Sequence, residues 1–372
     1  APGRTEIGGN HTDHNHGRVL AASVNLDVIA VAAPRADGRV RVKSKGYDMD
    51  EVSLDDLDVR DAEKNHSAAL VRGTAARFAQ LGYRVGGFDA YTTSDVLKGS
   101  GLSSSAAFEV LLGAILNQLY NGGAVSAVEV AKIAQYAENV YFGKPSGLMD
   151  QMASSVGGII TIDFADTDKP VIETVDFDFA AADHALCIVD TGGNHADLTH
   201  EYAAVPAEMR AVAASLGVTY LRETSMEALI PAIPALRKAH GDRAVLRAIH
   251  FLGDNERVSR QVAALNAGDF DEFKRLVVES GHSSFEYLQN VYAACDVEFQ
   301  GLSLALALAQ RALDGCGAWR VHGGGFGGTT QNFVPTGRLE AFRALMEGVF
   351  GPGSCHVLSI RPLGGICLDS LL

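Results

Sequence analysis

A glycine- and serine-rich run between a predicted strand and a predicted helix constrains this fold more than any other feature. The run follows the strand-like FDAYTTSDV and precedes AAFEVLLGAILNQLY, which predicts a long helix. Glycines let the backbone fold closely around a ligand, successive amides form an anion-binding concavity, and the following helix adds its positive end. Three serines after two glycines are more than one N-cap needs, so we predict phosphate binding. Its members are Gly99, Ser100, Gly101, Leu102, Ser103, Ser104 and Ser105.

Two other nucleotide-binding patterns are excluded. No Gly-x4-Gly-Lys-Ser/Thr sequence occurs, so the run is not a Walker loop. A second glycine cluster, HGGGFGG from His322 to Gly328, formally contains Gly-x-Gly-x-x-Gly, but the strand-like TTQNFVP follows it. A dinucleotide fingerprint must open a helix, so we reject that reading. Close packing against a ligand and a simple glycine bend both remain open.

A third stretch, GKPSGLMDQMASSVGG over 143–158, places Asp150 among apolar and small residues. Glu138 lies twelve residues earlier, on a predicted helix. A lone aspartate is usually a cap or turn residue, and a helical glutamate is usually solvated. By themselves, these two carboxylates are only hints of a site.

The opening stretch, GRTEIGGNHTDHNHG, concentrates His11, Asp13, His14 and His16 in six positions. Imidazole at this spacing suits zinc, copper or nickel. The same side chains suit a polyhydroxy ligand, and a solvated turn is a third interpretation. The spacing alone leaves all three open.

Charge and composition argue against several classes of protein. A net charge of −14 and a pI near 5.3 argue against nucleic-acid binding, which needs a basic surface. No apolar run reaches the roughly 18 residues of a membrane span, and no signal peptide is recognisable. Five widely spaced cysteines favour reduced thiols and a cytoplasmic protein over a disulfide framework. The absence of an initial methionine suggests a trimmed N-terminus.

The order of predicted elements indicates a mixed α/β or α+β chain whose two halves meet near 165–190. Between 165 and 313 the chain is expected to be mostly helical. Strands are expected over 23–34, 39–44, 88–96 and 157–164, around the glycine cluster at 318–335, and at the C-terminal HVLSIRPL; helices over 66–81, 126–142 and 338–349.

Together, the motifs resemble those of the GHMP kinases, and more narrowly of their galactokinase branch. The opening stretch is similar to the galactokinase substrate signature, GSGLSSSAA to the phosphate loop, GLMDQ to the catalytic segment and GGGFGG to the third motif. The resemblance covers nearly the whole chain. It implies two domains, here 1–180 and 181–372, with mixed sheets flanked by helices and an active site in the cleft between them. It also implies ATP, Mg²⁺ and phosphorylation of the C1 hydroxyl of galactose.

The resemblance assigns expected roles by position. Asp150 would orient or deprotonate the sugar hydroxyl, and Arg4 would keep it ionised and stabilise charge on the transferring phosphoryl group. Ser105 and Glu138 match positions that hold Mg²⁺, and the run from Gly99 to Ser105 matches the ATP-binding loop. On this interpretation the opening stretch is a sugar clamp and not a metal site. The positions expected to line the sugar are Asn10, His11, Asp13, Gly147, Asp150 and Tyr202.

Several positions depart from the family pattern. Asn10 replaces a glutamate, Glu6 an asparagine, His322 a threonine and Leu97 a proline, and Tyr202 lies in His-Glu-Tyr instead of Ser-Glu-Tyr. Asparagine donates as well as accepts hydrogen bonds. One hypothesis is therefore that the pocket also accepts a sugar with an acceptor group at C6, such as galacturonate.

Three alternatives stay open at the level of sequence. The chain could be a kinase for galacturonate, arabinose or an N-acetylated hexosamine; a non-catalytic galactose and ATP sensor; or a metal-dependent hydrolase. The presence of Arg4, Asp150, Ser105 and Glu138 favours a kinase. We expect no role for His14 and His16, no nucleic-acid or membrane partner, and a monomer or weak homo-oligomer.

Overall fold

Two β-sheets organise the part of the chain that the computed structural model describes, which is residues 1–96, 101–144, 146–193 and 198–371. The first sheet has an 18-residue strand at its centre, and only one of its strand pairs is parallel. Its strands are β1 (Pro2–Gly8), β2 (Arg18–Arg35), β3 (Arg39–Ser44), β4 (Met49–Ser53), β5 (Gly87–Ser94), β6 (Ile159–Asp163) and β7 (Val171–Val175). Their order is β4-β3-β5-β2-β6-β7, with β1 paired to β2, and β3 and β5 form the parallel pair.

The second sheet is antiparallel and has the order β11-β8-β10-β9. The glycine cluster connects its strands β9 and β10, so a strand follows the cluster, as the sequence predicts. This arrangement excludes the dinucleotide fingerprint, which requires a helix at that point. The strands are β8 (His184–Asp190), β9 (Ala318–Val321), β10 (Thr329–Pro335) and β11 (Cys355–Leu358).

Helices surround both sheets, and the expected mixed α/β class is confirmed. The helix that ends at Tyr136 continues as a π-helical turn over Ala137–Phe142, and the 41-residue α6 is kinked at Gly241. The helices are α1 (Ser67–Gln80), α2 (Ser104–Asn121), α3 (Ala127–Tyr136), α4 (Met149–Val156), α5 (Thr199–Ser215), α6 (Met226–Asn266), α7 (Phe270–Ser283), α8 (Gly301–Leu313) and α9 (Leu339–Phe350). None of the described helices combines the length and apolarity that a membrane span requires.

The sequence analysis missed four strands: β4 (Met49–Ser53), where no element was expected, and three others. The opening stretch contains β1, and β7 and β8 lie in the region expected to be mostly helical. Short apolar runs cannot be assigned to strand or helix by periodicity alone, and the seven-residue HALCIVD of β8 is such a run. By contrast, β3 spans the predicted 39–44, and α1 and α9 differ from their predicted bounds by one residue.

The core continues from one sheet to the other. Ile7 and Leu20 of the first sheet belong to the same buried cluster as Ile188 and Phe333 of the second. Strands of the first sheet lie within 2–175 and those of the second within 184–358. The domain division at 180 stays a prediction, because a shared core does not itself define two units.

Candidate active site

Strand β1 brings Arg4 against Asp150, which opens α4. The guanidinium donates through Nε to Oδ1 and through a terminal nitrogen to Oδ2, both at 2.7 Å. Burial alone would raise the pKa of Asp150, but the charge and hydrogen bonds of Arg4, with Ser103 and Lys144, lower it below its usual value. The Asp150 side chain keeps 29% of its surface exposed. The pair therefore presents an ionised carboxylate to the cleft.

The glycine-serine run lies directly beside this pair. The Arg4 backbone amide donates to the Leu102 carbonyl at 3.0 Å, and its guanidinium donates to the Gly101 carbonyl. Ser103 has a left-handed φ of +56° immediately before α2, and its hydroxyl bonds to Asp150. Of the predicted phosphate loop, Gly101 to Ser105 are thus placed at the N-terminus of α2. Gly99 and Ser100, like Leu97, lie outside the described residues.

The two positions predicted to hold the metal also meet. Ser105 Oγ, in the first turn of α2, lies 3.4 Å from Glu138 Oε1. Glu138 is in the π-helical turn and only 2% exposed. Lys144 Nζ lies 3.0 Å from Glu138 Oε1, while Ser146 Oγ and Gln151 Nε2 donate to Oε2 at 2.5 and 2.8 Å.

A second buried carboxyl group, that of Glu109, shares the Gln151 amide with Glu138. It was not predicted as a site residue. Glu109 is fully buried on α2, four residues after Ser105, and its Oε2 accepts from Gln151 Nε2 at 3.0 Å. Burial, and then the charge of Glu138, raise the pKa of Glu109 well above its ordinary value. The available signal was a glutamate inside an apolar run, on the helical face of Ser105.

His11 lies against the glycine cluster and has an unused acceptor. Its Nε2 bonds to the Gly324 carbonyl at 2.9 Å, so this nitrogen carries the proton. Burial, with a smaller effect of His14, lowers the pKa of His11 to about 3, so the ring is neutral. Its Nδ1 is buried and has no hydrogen-bond partner among the described residues. This lone pair accepts a hydrogen bond only if a ligand supplies a donor.

Asp13 and Gly147 fit together as a pair. The Asp13 Oδ1 accepts from the His14 amide at 2.9 Å. Its Oδ2 lies so close to Gly147 that a Cβ at this position would overlap the carboxylate oxygen. Glycine at 147 is therefore required for Asp13 to keep this orientation.

Tyr202 contacts the glycine cluster from α5. Its hydroxyl donates to the Gly325 carbonyl at 2.6 Å, and its ring lies edge-on to Phe326, with centroids 5.2 Å apart. A Cβ on Gly324 would overlap the ring. The cluster therefore packs against a side chain and, through His11, against the predicted sugar clamp.

Asn10 needs a correction, because it does not reach the cleft. The side chain is fully buried, and four protein contacts use both its N–H donors and both its acceptor lone pairs. It has no free group for a sugar in this arrangement, so a direct contact with a C6 substituent is not supported. Its Nδ2 donates to Glu6 Oε1 at 3.0 Å and the Gly323 carbonyl at 2.7 Å; its Oδ1 accepts from Ser284 at 3.1 Å and Asn290 at 2.8 Å.

Two other departures, Glu6 and His322, join the same buried network. Glu6 pairs with the fully buried Arg320 at 2.6 Å, a partner that sequence reasoning missed. His322 Nε2 lies 3.0 Å from the Thr5 hydroxyl, and its Nδ1 lies 2.9 Å from that of Thr329. Glu6, Asn10 and His322 thus connect β1 to the strands around the glycine cluster.

The remaining histidines of the opening stretch do not assemble a metal site. His16 stacks on Tyr220 at 3.6 Å, and His14 lies 3.8 Å from Asp13. Within the described part of the chain, no group of metal-ligating side chains includes His11, His14 or His16.

Comparison with known proteins identifies the family. Residues 1–34 match the galactokinase galactose-binding signature, and residues 69–158 match the N-terminal domain of GHMP kinases. A galactokinase from Streptomyces coelicolor is 35% identical over 94% of this chain and 87% of its own length. The galactokinase of Bos taurus is 32% identical, with 89% and 81% covered.

Solved structures agree. The crystal structure of Lactococcus lactis galactokinase complexed with galactose matches with a TM-score of 0.83 at 26% identity, covering 98% of this chain and 93% of that one. A mevalonate kinase at 13% identity and a TM-score of 0.65 shares the fold. The motifs, their geometry and these similarities over most of both chains lead to one conclusion: the chain belongs to the galactokinase family of the GHMP kinases.

Proposed function

We propose that this sugar kinase transfers the γ-phosphoryl group of ATP to the C1 hydroxyl of galactose. The observation that carries the proposal is the ionised Asp150, held by two hydrogen bonds from Arg4 beside the start of α2. Asp150 accepts a hydrogen bond from the sugar hydroxyl and aligns it, or takes its proton as the oxygen–phosphorus bond forms. Arg4 and the α2 N-terminus offset the charge of the phosphoryl group.

The residues present fit a magnesium ion that accompanies ATP. Mg²⁺ prefers oxygen ligands, and the Ser105 hydroxyl and Glu138 carboxylate supply two that face each other. The Lys144 ammonium, 3.0 Å from Glu138, shows that a positive charge is already accommodated there. When bound, the ion would neutralise phosphate charge. Ser105 and Glu138 would hold it, and Gln151 would orient Glu138.

The sugar end of the site favours neutral hydroxyl groups. His11 Nδ1 and the Asp13 carboxylate are acceptors, whereas the amide of Asn10 is fully engaged by the protein. A uronic acid would bring a carboxylate that also only accepts. We therefore favour galactose over galacturonate, with His11, Asp13, Gly147, Asp150 and Tyr202 lining the sugar.

The use of ATP and the five widely spaced cysteines also favour the cytoplasm as the site of action. We retain the expectation of a monomer or weak homo-oligomer. Sedimentation equilibrium across a range of protein concentrations would measure this directly.

The deciding experiment measures ADP release from ATP and Mg²⁺ with a sugar panel. The panel contains galactose, galacturonate, arabinose, N-acetylgalactosamine and glucose, each with an EDTA control. We expect galactose-dependent turnover that EDTA abolishes, and none with galacturonate at millimolar concentration. Galactose binding without turnover would support the sensor alternative, and faster turnover of another sugar would replace galactose as the substrate.

A further inference from the structure

Three metal-ligating side chains converge at the first turn of α5, outside the phosphoryl-transfer site. His200 and Glu201 come from α5, and Cys295 comes from the segment between the π-helical turn Ser284–Leu288 and α8. One ligand atom of each lies within 4.8 Å of the other two. The His200 Nε2 to Glu201 Oε1 distance is 3.7 Å. Tetrahedral zinc with bonds of about 2.0–2.3 Å separates its ligand atoms by about 3.3–3.8 Å.

Glu201 Oε1 is the carboxylate oxygen that approaches His200. Arg243 approaches Glu201 through the other oxygen, Oε2, and only to 3.8 Å. The same guanidinium makes its close contacts with Glu208, at 2.5 and 3.0 Å. The Glu201 side chain is 10% exposed, whereas the His200 side chain is 64% exposed. The Glu201 carboxylate is thus largely buried, whereas the His200 imidazole is exposed to ions in the solvent.

The three ligand types of this site favour one class of metal ion. A thiolate, an imidazole and a carboxylate together suit zinc, and a thiolate disfavours magnesium. With the histidine neutral, the thiolate and carboxylate carry two negative charges, which balance one divalent cation. Binding replaces the S–H bond of Cys295 with a sulfur–metal bond and releases one proton to solvent.

We propose that His200, Glu201 and Cys295 bind a zinc-class divalent metal, with water in the fourth position. The ion would fasten the turn at Cys295 to the first turn of α5, next to Tyr202. This turn is anchored on its other side, because Val291 and Ala293 are buried. The three ligands do not include Ser105 or Glu138, the residues proposed to hold Mg²⁺.

The test titrates the metal-stripped full chain with Co²⁺ and then Zn²⁺. Co²⁺ bound by a thiolate gives a near-ultraviolet charge-transfer band, which Zn²⁺ should abolish at one equivalent per chain. Calorimetry measures the Zn²⁺ affinity of the same preparation. Bound Zn²⁺ should also slow alkylation of Cys295 by iodoacetamide, measured by peptide mass spectrometry.

Variants separate this site from adventitious binding. Cys295→Ser should remove the Co²⁺ band, and both it and His200→Ser should weaken Zn²⁺ binding by about tenfold or more. The controls are Cys316→Ser, at a partly buried thiol, and His282→Ser, at an exposed histidine of α7; neither should change the titration. No band in the parent chain, or a band that survives Cys295→Ser, would overturn the proposal. Because the readout is metal binding, a failed galactose assay leaves its outcome unaffected.

Discussion

At the scale of single residues, the contact between Arg4 and Asp150 carries the proposed chemistry. We predict that Asp150→Asn retains galactose binding within about tenfold and loses roughly 10²–10⁴ of kcat, the usual contribution of a positioned acid–base group. The amide still forms hydrogen bonds but accepts no proton and carries no charge for Arg4. The measurement is kcat by ADP release beside galactose affinity by calorimetry. Asp166→Asn, in an exposed turn, is the control, and parent-like turnover in Asp150→Asn would refute the assigned role.

Gly147 supplies a second test at this scale, through the space that it leaves for Asp13. We predict that Gly147→Ala raises the KM for galactose, because the new Cβ would displace the Asp13 carboxylate that faces the sugar. The KM for ATP should change little. Gly337→Ala is the matched control, since no atom lies within 4 Å of its Cβ position. Equal galactose KM values in the two variants would contradict the proposed function of Asp13.

At the scale of elements, α2, α4 and the π-helical turn meet around three buried polar side chains. Gln151 of α4 donates one amide to both Glu109 of α2 and Glu138 of the π-helical turn. One amide nitrogen therefore serves two buried carboxyl groups, and Glu109 Oε1 is buried with no hydrogen-bond partner among the described residues. This arrangement fixes the position of Glu138 relative to Asp150, the neighbour of Gln151.

The raised pKa of Glu109 makes stability depend on pH. Because the folded state favours the protonated form, folding binds a proton once pH exceeds the ordinary glutamate pKa. The free energy of unfolding should therefore fall as pH rises above about 4.3 towards the folded pKa. We predict that Glu109→Gln reduces the dependence of the free energy of unfolding on pH. Relative to the parent chain, the variant should therefore be more stable at pH 8 than at pH 5. Urea unfolding at the two pH values measures it, with Glu129→Gln on α3 as control; an unchanged slope would contradict the prediction.

Several side chains that sequence reasoning assigned to one site do meet in the structure, whereas some of the strands that hold them were missed. The roles of these side chains stay predictions. The resemblance assigned Arg4, Asp150, Ser105 and Glu138 by position, and the structure brings Arg4 to Asp150 and Ser105 to Glu138. Burial is not readable in the same way, so Asn10 was expected to contact the sugar when it is enclosed by the protein. Partners from distant sequence, such as Arg320 for Glu6, depend on tertiary packing and gave no local signal.

At the scale of the whole molecule, the two halves share an aromatic cluster at their proposed boundary. Phe177 and Phe179 end the first half and pack on Phe270, Phe273 and Phe333 of the second, with the Phe179 and Phe333 centroids 5.0 Å apart. A cut at residue 180 would separate these rings and expose both surfaces. The predicted domains 1–180 and 181–372 are therefore proposed to unfold together, although each contains its own sheet.

The single tryptophan tests this coupling, because Trp319 lies in β9 of the second sheet. We predict that tryptophan fluorescence and far-ultraviolet circular dichroism give the same midpoint in chemical unfolding, as expected of one cooperative transition. Phe179→Ala should lower the free energy of unfolding by about 3–5 kcal/mol and move both midpoints together. Phe299→Ala, at a ring 81% exposed, should change it by about 0.5 kcal/mol or less. If only the circular dichroism midpoint moved in Phe179→Ala, the halves would unfold separately, and the shared rings would not couple them.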